Sequence, residues 1–153
     1  MLIEMRPALQ TDSDLLFEWR NDAETRALSH NTALVEHHDH ERWMQFNVLN
    51  GYPAHVVMIA DSELGALGVI RFDVLKTDVM SYIVSIAIAP RFRGQGYGGQ
   101  SLAEACRLMG EYTLIAEIRP ENAGSIRIFE RCGFKRVRRN KANGMLTYKR
   151  GPL

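Results

Sequence analysis

The sequence predicts an α/β domain built on a mixed β-sheet, and three observations carry that reading. Between residues 55 and 89, three alternating apolar runs are joined by short polar turns, the pattern of an antiparallel meander. The third run leads through a glycine-rich turn and an amphipathic helix to Thr113–Arg119, a strand able to lie parallel to residues 80–89 with the helix as crossover. Two last strands, about 134–139 and 145–150, meet through Asn143-Gly144, a strong hairpin signal.

Taken in order, Leu2 to Arg6 alternates and reads as a first strand, stopped by Pro7. Thr11 or Asp12 caps a helix that turns Leu15, Leu16 and Trp19 inward and ends in the polar run Phe17–Asp22. The stretch as far as His38 reads as irregular. Asp39 then caps a helix over about 40–50, with Trp43, Met44 and Val48 as buried candidates, broken by Gly51-Tyr52-Pro53. Strands follow over 55–60, 66–74 and 80–89, with turns at 61–65 and 76–78. In a helix over 98–109, Leu102, Ala105, Cys106 and Met109 recur at helical spacing. Asn122 caps another helix, which faces Ile126, Phe129 and Cys132 inward. Gly133 occupies the left-handed position after it, with Phe134 as apolar partner.

A chain of 153 residues is read as one domain, 1–153, able to bury a substantial core. No apolar run is long enough to span a bilayer, and no signal-peptide pattern opens the chain. Cys106 and Cys132 read as small buried hydrophobes in a reducing compartment, which points to the cytoplasm. The net charge of +1 hides an asymmetry: Arg6, Arg20, Arg26 and Arg42 are the only basic residues before residue 71, and no acid follows Glu130. The basic residues cluster around the glycine-rich turn and the last hairpin, so a phosphate-rich small ligand explains them without a nucleic-acid partner. His37-His38-Asp39-His40 lacks a supporting Cys or carboxylate cluster, and its histidines read as solvated or capping, with no metal.

Pro90 ends the third run, and Gly94, Gly96 and Gly98 clear side chains from the start of the next helix. Free N–H groups at such an end bind phosphate. A P-loop would need Gly-Lys-Ser/Thr, and the dinucleotide fingerprint would need Gly-x-Gly-x-x-Gly; neither is present. Arg91-Phe92-Arg93-Gly94-Gln95-Gly96 resembles the Gln/Arg-x-x-Gly-x-Gly/Ala signature of the GNAT N-acetyltransferases. Asn122-Ala123-Gly124-Ser125 through Gly133-Phe134 looks like that family's second hallmark, the helix after the fifth strand.

The resemblance implies a twisted mixed sheet of about seven strands with helices on both faces, its parallel fourth and fifth strands splayed apart. It also implies acetyl-coenzyme A as cosubstrate, with pantetheine along Ile86, Ala87 and Ile88 and pyrophosphate on the amides of Phe92, Arg93, Gly94, Gln95, Gly96, Tyr97 and Gly98. Arg91, Arg93, Arg127 and Arg131 are the arginines within reach of phosphate, and Asn122, Ser125 and Phe129 complete the coenzyme side. The partner implied is a small-molecule amine, with no nucleic acid or membrane and with a homodimer allowed.

Trp19-Arg20-Asn21-Asp22, Arg26 and His40-Glu41-Arg42-Trp43 are similar to a GNAT subgroup. It includes acetyltransferases for nucleotide-linked 4-amino sugars of the pseudaminic acid type and for ribosomal-protein N-termini. Tyr82–Ile86 resembles the fourth strand of the amino-sugar enzymes, and residues 20–40 would wall the acceptor side. The implied reaction is direct attack of a neutral amine on the acetyl thioester. A lysine amine costs roughly 4.6 kcal/mol to deprotonate at pH 7 and an α-amine only about 1.4, so a water relay to a carboxylate can serve the latter. Glu117 is the candidate for that relay, Ser85 for positioning the amine or a water, and N–H groups near Ile86–Ile88 for the oxyanion. Many GNATs carry a thiolate-protonating tyrosine where this chain has Phe129, which has no proton to give. That departure raises the alternative of a non-catalytic acyl-coenzyme A binding module.

Overall fold

The structure, a computed structural model, describes residues 3–51 and 54–152. Leu2 of the first expected strand, and Tyr52 and Pro53 of the expected break, lie outside the described residues.

One seven-stranded sheet forms the body, in the order β1-β2-β3-β4-β5-β7-β6. Strands β1 (Glu4–Pro7), β2 (Ala54–Asp61), β3 (Gly65–Leu75) and β4 (Asp78–Ile88) pair antiparallel. Helix α4 (Tyr97–Leu108) crosses over to β5 (Thr113–Ile118), which runs parallel to β4. Helix α5 (Ala123–Arg131) leads to the hairpin of β6 (Lys135–Arg139) and β7 (Leu146–Arg150), and β7 pairs antiparallel with β5. The mixed, open sheet expected from the sequence is therefore present, with Pro7 inside the outermost strand, where its missing N–H costs no ladder bond.

Alternation sorts the sheet into two faces. Val84, Ile70, Phe72, Leu114, Ala116 and Tyr148 are buried on the face covered by α4; Leu102, Ala105 and Cys106 of that helix belong to the same core. Complete burial of Ile70, Leu102 and Leu114 stabilises the fold by roughly 1.5–3 kcal/mol for each side chain. Gly68 sits where β3 crosses β4, and a Cβ there would run into the Ala87 carbonyl.

The N-terminal helices depart from expectation in four places. Helix α1 (Ser13–Asn21) buries Leu16 and Trp19 but exposes Leu15. Asp12 precedes α1 without capping it: its carboxylate accepts from Arg6 Nη1 (2.7 Å), Arg6 Nη2 (2.9 Å) and Leu9 N–H (2.7 Å). The stretch read as irregular contains helix α2 (Ala23–Leu28), capped by the Asp22 carboxylate, which accepts from Thr25 N–H. Helix α3 (His37–Trp43) begins before Asp39 and continues into a π-helical turn, Met44–Val48.

His40 is neither solvated nor capping. It is 2% exposed, with Nε2 2.9 Å from Ser13 O and 3.0 Å from Ser13 Oγ, and it packs on Phe17 and Trp43. The Nε2–H tautomer donates to Ser13 O and ties α3 to α1. Burial pushes the imidazole pKa below its ordinary value.

Candidate functional site

Pairing between β4 and β5 stops after Ser81–Thr113, Tyr82–Leu114 and Ile83–Ile115. Beyond Ile83 the strands part, leaving an opening along Val84–Ile88. Ala89 N–H donates to Leu67 O on β3 (2.8 Å), so by alternation the Ala87 and Ser85 N–H groups also point toward β3. Those of Ile88 and Ile86 point away from β3, into the opening. Of the three residues expected to line it, Ala87 is thus the one whose peptide is engaged by the sheet.

Ser85 and Glu117 each lie two residues beyond the paired Ile83 and Ile115, on the sheet face opposite α4, and both are exposed. Ser85 pairs with Arg71 on β3 and Glu117 with Thr147 on β7.

At the end of β4, Pro90–Phe92 makes a single 3₁₀ turn and Gly94 and Gly96 take φ of 76° and 88°. Only glycine takes those values at little cost. The first bond of α4 runs from Gln100 N–H to Gly96 O, so the N–H groups of Gly94 through Gly99 all precede it. Open space surrounds Gly94, and a Cβ at Gly96 would meet only Gln100 Nε2 at 4.0 Å. Gly98 has a different role: a Cβ there would press on Ile128 Cδ1 (3.3 Å) and Ile88 Cγ1 (3.6 Å), so it allows α4 to approach α5 and β4. Phe92 and Tyr97 are buried edge to face, and Arg91 stacks its guanidinium 4.5 Å from the Phe92 ring centroid while remaining exposed. Gln95 Nε2 donates to Arg91 O and braces the turn.

The Arg93 side chain, expected within reach of phosphate, is engaged by β4 and by the segment Asp22–Thr25. Its Nε donates to Ile88 O (3.1 Å), Nη1 to Glu24 (2.5 Å), and Nη2 to Asp22 (3.0 Å) and Thr25 Oγ1 (2.8 Å). On the other side of the opening, Arg119 Nε donates to Ser29 O (2.8 Å). Helix α2 is thereby strapped across the ends of β4 and β5. The segment Trp19-Arg20-Asn21-Asp22 gains a physical reading residue by residue. Trp19 is core, and Asn21 both donates to and accepts from the Val35 backbone. Asp22 caps α2 and holds Arg93, while Arg20 is half-buried and free of any partner among the described residues.

On α5, Asn122 Oδ1 accepts from Ser125 N–H (3.2 Å), so this carboxamide oxygen serves the helix N-terminus. Phe129 is 3% exposed, edge-on to Phe134, with Phe134 N–H donating to Phe129 O in the turn around Gly133 (φ 89°). Arg127 and Arg131 are exposed on the surface of α5. Tyr97 packs on Phe92, and Tyr112 packs on Tyr82 in a cavity of about 350 Å³ on the face covered by α4. Cys106 and Cys132 are free thiols with pKa values raised by burial, that of Cys106 to about 11.

A sheet opened between parallel β4 and β5, beside a glycine-rich helix N-terminus whose N–H groups from Gly94 to Gly99 have no partner among the described residues, fits an extended acyl-carrying thioester ending in pyrophosphate. The sequence matches the acetyltransferase (GNAT) domain over residues 3–135. The chain belongs to the GNAT acetyltransferase family. Among solved structures, ribosomal-protein-alanine N-acetyltransferase from Brucella melitensis is 25% identical, with a TM-score of 0.80 and 99% of each chain covered. Spermidine N-acetyltransferase from Vibrio cholerae, in complex with coenzyme A and spermine, shares the fold at 13% identity. Its TM-score is 0.82, with 96% of this chain and 92% of that one covered. An uncharacterized protein from Mycobacterium leprae is 31% identical over 90 residues, 58% of this chain; the match spans 24% of that longer protein.

The matched family model is that of an acetyltransferase domain. Among the described residues no group of three His, Cys, Asp or Glu side chains could hold a metal ion, and no helix is long and apolar enough to cross a membrane. Sequence reasoning missed Asp22, Glu24, Thr25 and Arg119 as parts of the strap, and Arg71 beside Ser85. The strap depends on contacts about 70–90 residues apart in the chain, and its only local signal was the Asp22 cap.

Proposed function

We propose that this chain acetylates a primary amine by direct attack within the β4–β5 opening, and that the acceptor is a nucleotide-linked amino sugar. The observation that carries the reaction is the placement of Ser85 and Glu117 on opposite sides of that opening, on one face. The N–H groups of Gly94–Gly99 hold the pyrophosphate, and those of Ile86 and Ile88 donate to the carbonyl oxygen as it gains negative charge. The bound coenzyme supplies a thioester-activated acetyl group.

Glu117 accepts the amine proton through water, and Ser85 orients the amine or that water. Exposure of both side chains keeps the relay wet, which suits an amine whose deprotonation costs little more than about 1.4 kcal/mol at pH 7. The thiolate, with a conjugate-acid pKa near ~8.5, leaves without a dedicated acid and is protonated by water. Arg71, the register partner of Ser85, favours an acceptor that is itself anionic.

A second reading, the N-terminal amine of a ribosomal protein, is favoured by the 25% identity to the Brucella enzyme over nearly the whole chain. The subgroup, the single-domain extent of 1–153 and a cytoplasmic setting belong to the same proposal. The test is a kinetic comparison of a UDP-4-amino sugar with short peptides bearing a free N-terminus, read by thiol release from acetyl-coenzyme A. Efficient turnover of the sugar nucleotide supports the first reading, and turnover of peptides alone replaces it with the second.

A further inference from the structure

A second cavity, of about 610 Å³, lies away from the β4–β5 opening. It is lined by Ala103 and Cys106 of α4, by Arg131, Cys132 and Gly133 at the end of α5, and by Arg150 at the end of β7. Arg131 is the last residue of α5, about 13 Å along that helix from the Asn122 cap. Cys106 stands about 15 Å along α4 from Gly96. Arg150 pairs with Leu114 near the start of β5, whereas the opening begins beyond Ile115. Both helices therefore turn toward this cavity the ends remote from the glycine turn and the Asn122 cap.

Arg150 lies across the turn that ends α5. Its Nε and Cδ are 3.5 and 4.0 Å from the place where a Cβ on Gly133 would stand. Arg150 Nη1 is shielded from solvent and has no hydrogen-bond partner, the only such side-chain nitrogen or oxygen among the described residues. Neither Arg131 nor Arg150 takes part in an ion pair among those residues. The cavity has no acidic lining residue, and no acid follows Glu130 in the chain. Burial raises the pKa of both thiols, so Cys106 and Cys132 stay neutral at pH 7 and add no counter-charge. Two cations from separate elements thus line one cavity with no anion beside them, and a guanidinium partly withdrawn from water without a counter-charge is costly.

We propose that this cavity is a second binding site, for a small phosphate monoester whose oxygens accept from the guanidinium groups of Arg131 and Arg150. A phosphate dianion answers two cations, whereas a carboxylate leaves one of them uncompensated. Each guanidinium also offers a planar fork of donors that matches two phosphate oxygens. The volume exceeds what a bare phosphate fills, and the remaining wall of Ala103, Cys106 and Cys132 suits a compact organic body. The site uses no residue of the β4–β5 opening. A ligand held there bridges α5 to β7 and stabilises the folded chain by mass action.

The test is calorimetric titration of glycerol 3-phosphate into the intact protein saturated with coenzyme A, with inorganic phosphate and acetate titrated at the same ionic strength. Glycerol 3-phosphate is expected to bind most tightly, and acetate about tenfold or more weakly. Its affinity should fall about tenfold in Arg150→Gln and in Arg131→Gln. Arg131 is exposed, so the second variant carries the test should the first fail to fold. Cys132 reports on the cavity itself. At about ten times the dissociation constant, glycerol 3-phosphate should slow its alkylation by iodoacetamide about tenfold, read by peptide mass spectrometry. The site would be overturned by absence of glycerol 3-phosphate binding, by an affinity unchanged in Arg131→Gln, or by alkylation of Cys132 at the same rate with and without the ligand. Inorganic phosphate or acetate binding as tightly as glycerol 3-phosphate would overturn the monoester.

Discussion

Ser85 and Glu117 occupy the same place on two strands that no longer touch: each lies two residues past the last paired residues, Ile83 and Ile115, on the same face of the sheet. The strands diverge between the two side chains, and that divergence makes the space in which an amine can meet both. Glu117→Gln keeps the shape and removes the proton acceptor. We expect kcat to fall about 10²-fold, with coenzyme A affinity unchanged by calorimetry. An unaltered kcat would remove Glu117 from the relay.

Gly96 stands at φ 88° with space around it. Gly96→Val introduces left-handed strain of roughly 1–2 kcal/mol, which should lower the melting temperature by a few degrees while the fold persists. Coenzyme A affinity should drop by more than about tenfold, because the side chain enters the space that the pyrophosphate needs. Binding equal to the parent protein would show that this loop does not hold phosphate.

Arg93 separates two roles cleanly. As the strap on α2 it predicts that Arg93→Ala raises acceptor KM about tenfold, changes coenzyme A affinity little, and is partly rescued by Arg93→Lys. As a phosphate ligand it would instead weaken coenzyme A and leave acceptor KM alone. Parallel measurement of both constants distinguishes them.

Much of the sheet could be read from apolar runs of strand length separated by short polar turns. The tight turn before α4 was legible from glycine spacing, since positive φ at Gly94 and Gly96 leaves that residue type as its trace. Helix α2 was not, because its six residues include none that is buried and so carry no periodicity. The burial of His40 was hidden for a related reason: Ser13, which accepts its hydrogen bond, lies 27 residues earlier. Arg93 reads as a loop cation in sequence, and only the fold brings Asp22 and Glu24 to it.

His40 supplies a pH test. Its folded-state pKa lies below the ordinary 6.5, so the unfolded chain takes up a proton that the folded chain resists as pH falls below 6.5. Stability from this group is therefore full above pH 6.5 and declines on acidification toward the lower folded value. His37, Asp14 and Glu41 supply the surrounding charges. His40→Gln should cost about 1–2 kcal/mol at pH 7 and flatten the fall in melting temperature between pH 7 and 5. An identical pH slope in both proteins would show that His40 does not drive it.

The central claim is that acetyl-coenzyme A binds in the β4–β5 opening and is consumed there by an amine. It is tested most directly by thiol release in the presence of acetyl-coenzyme A with the UDP-4-amino sugar and the free-N-terminus peptides as acceptors, run beside Gly96→Val and Glu117→Gln. The account predicts amine-dependent release, lost with coenzyme binding in the first variant and lost with binding intact in the second. Tight coenzyme binding with no amine-dependent release from the parent protein would contradict it and leave an acyl-coenzyme A binding module.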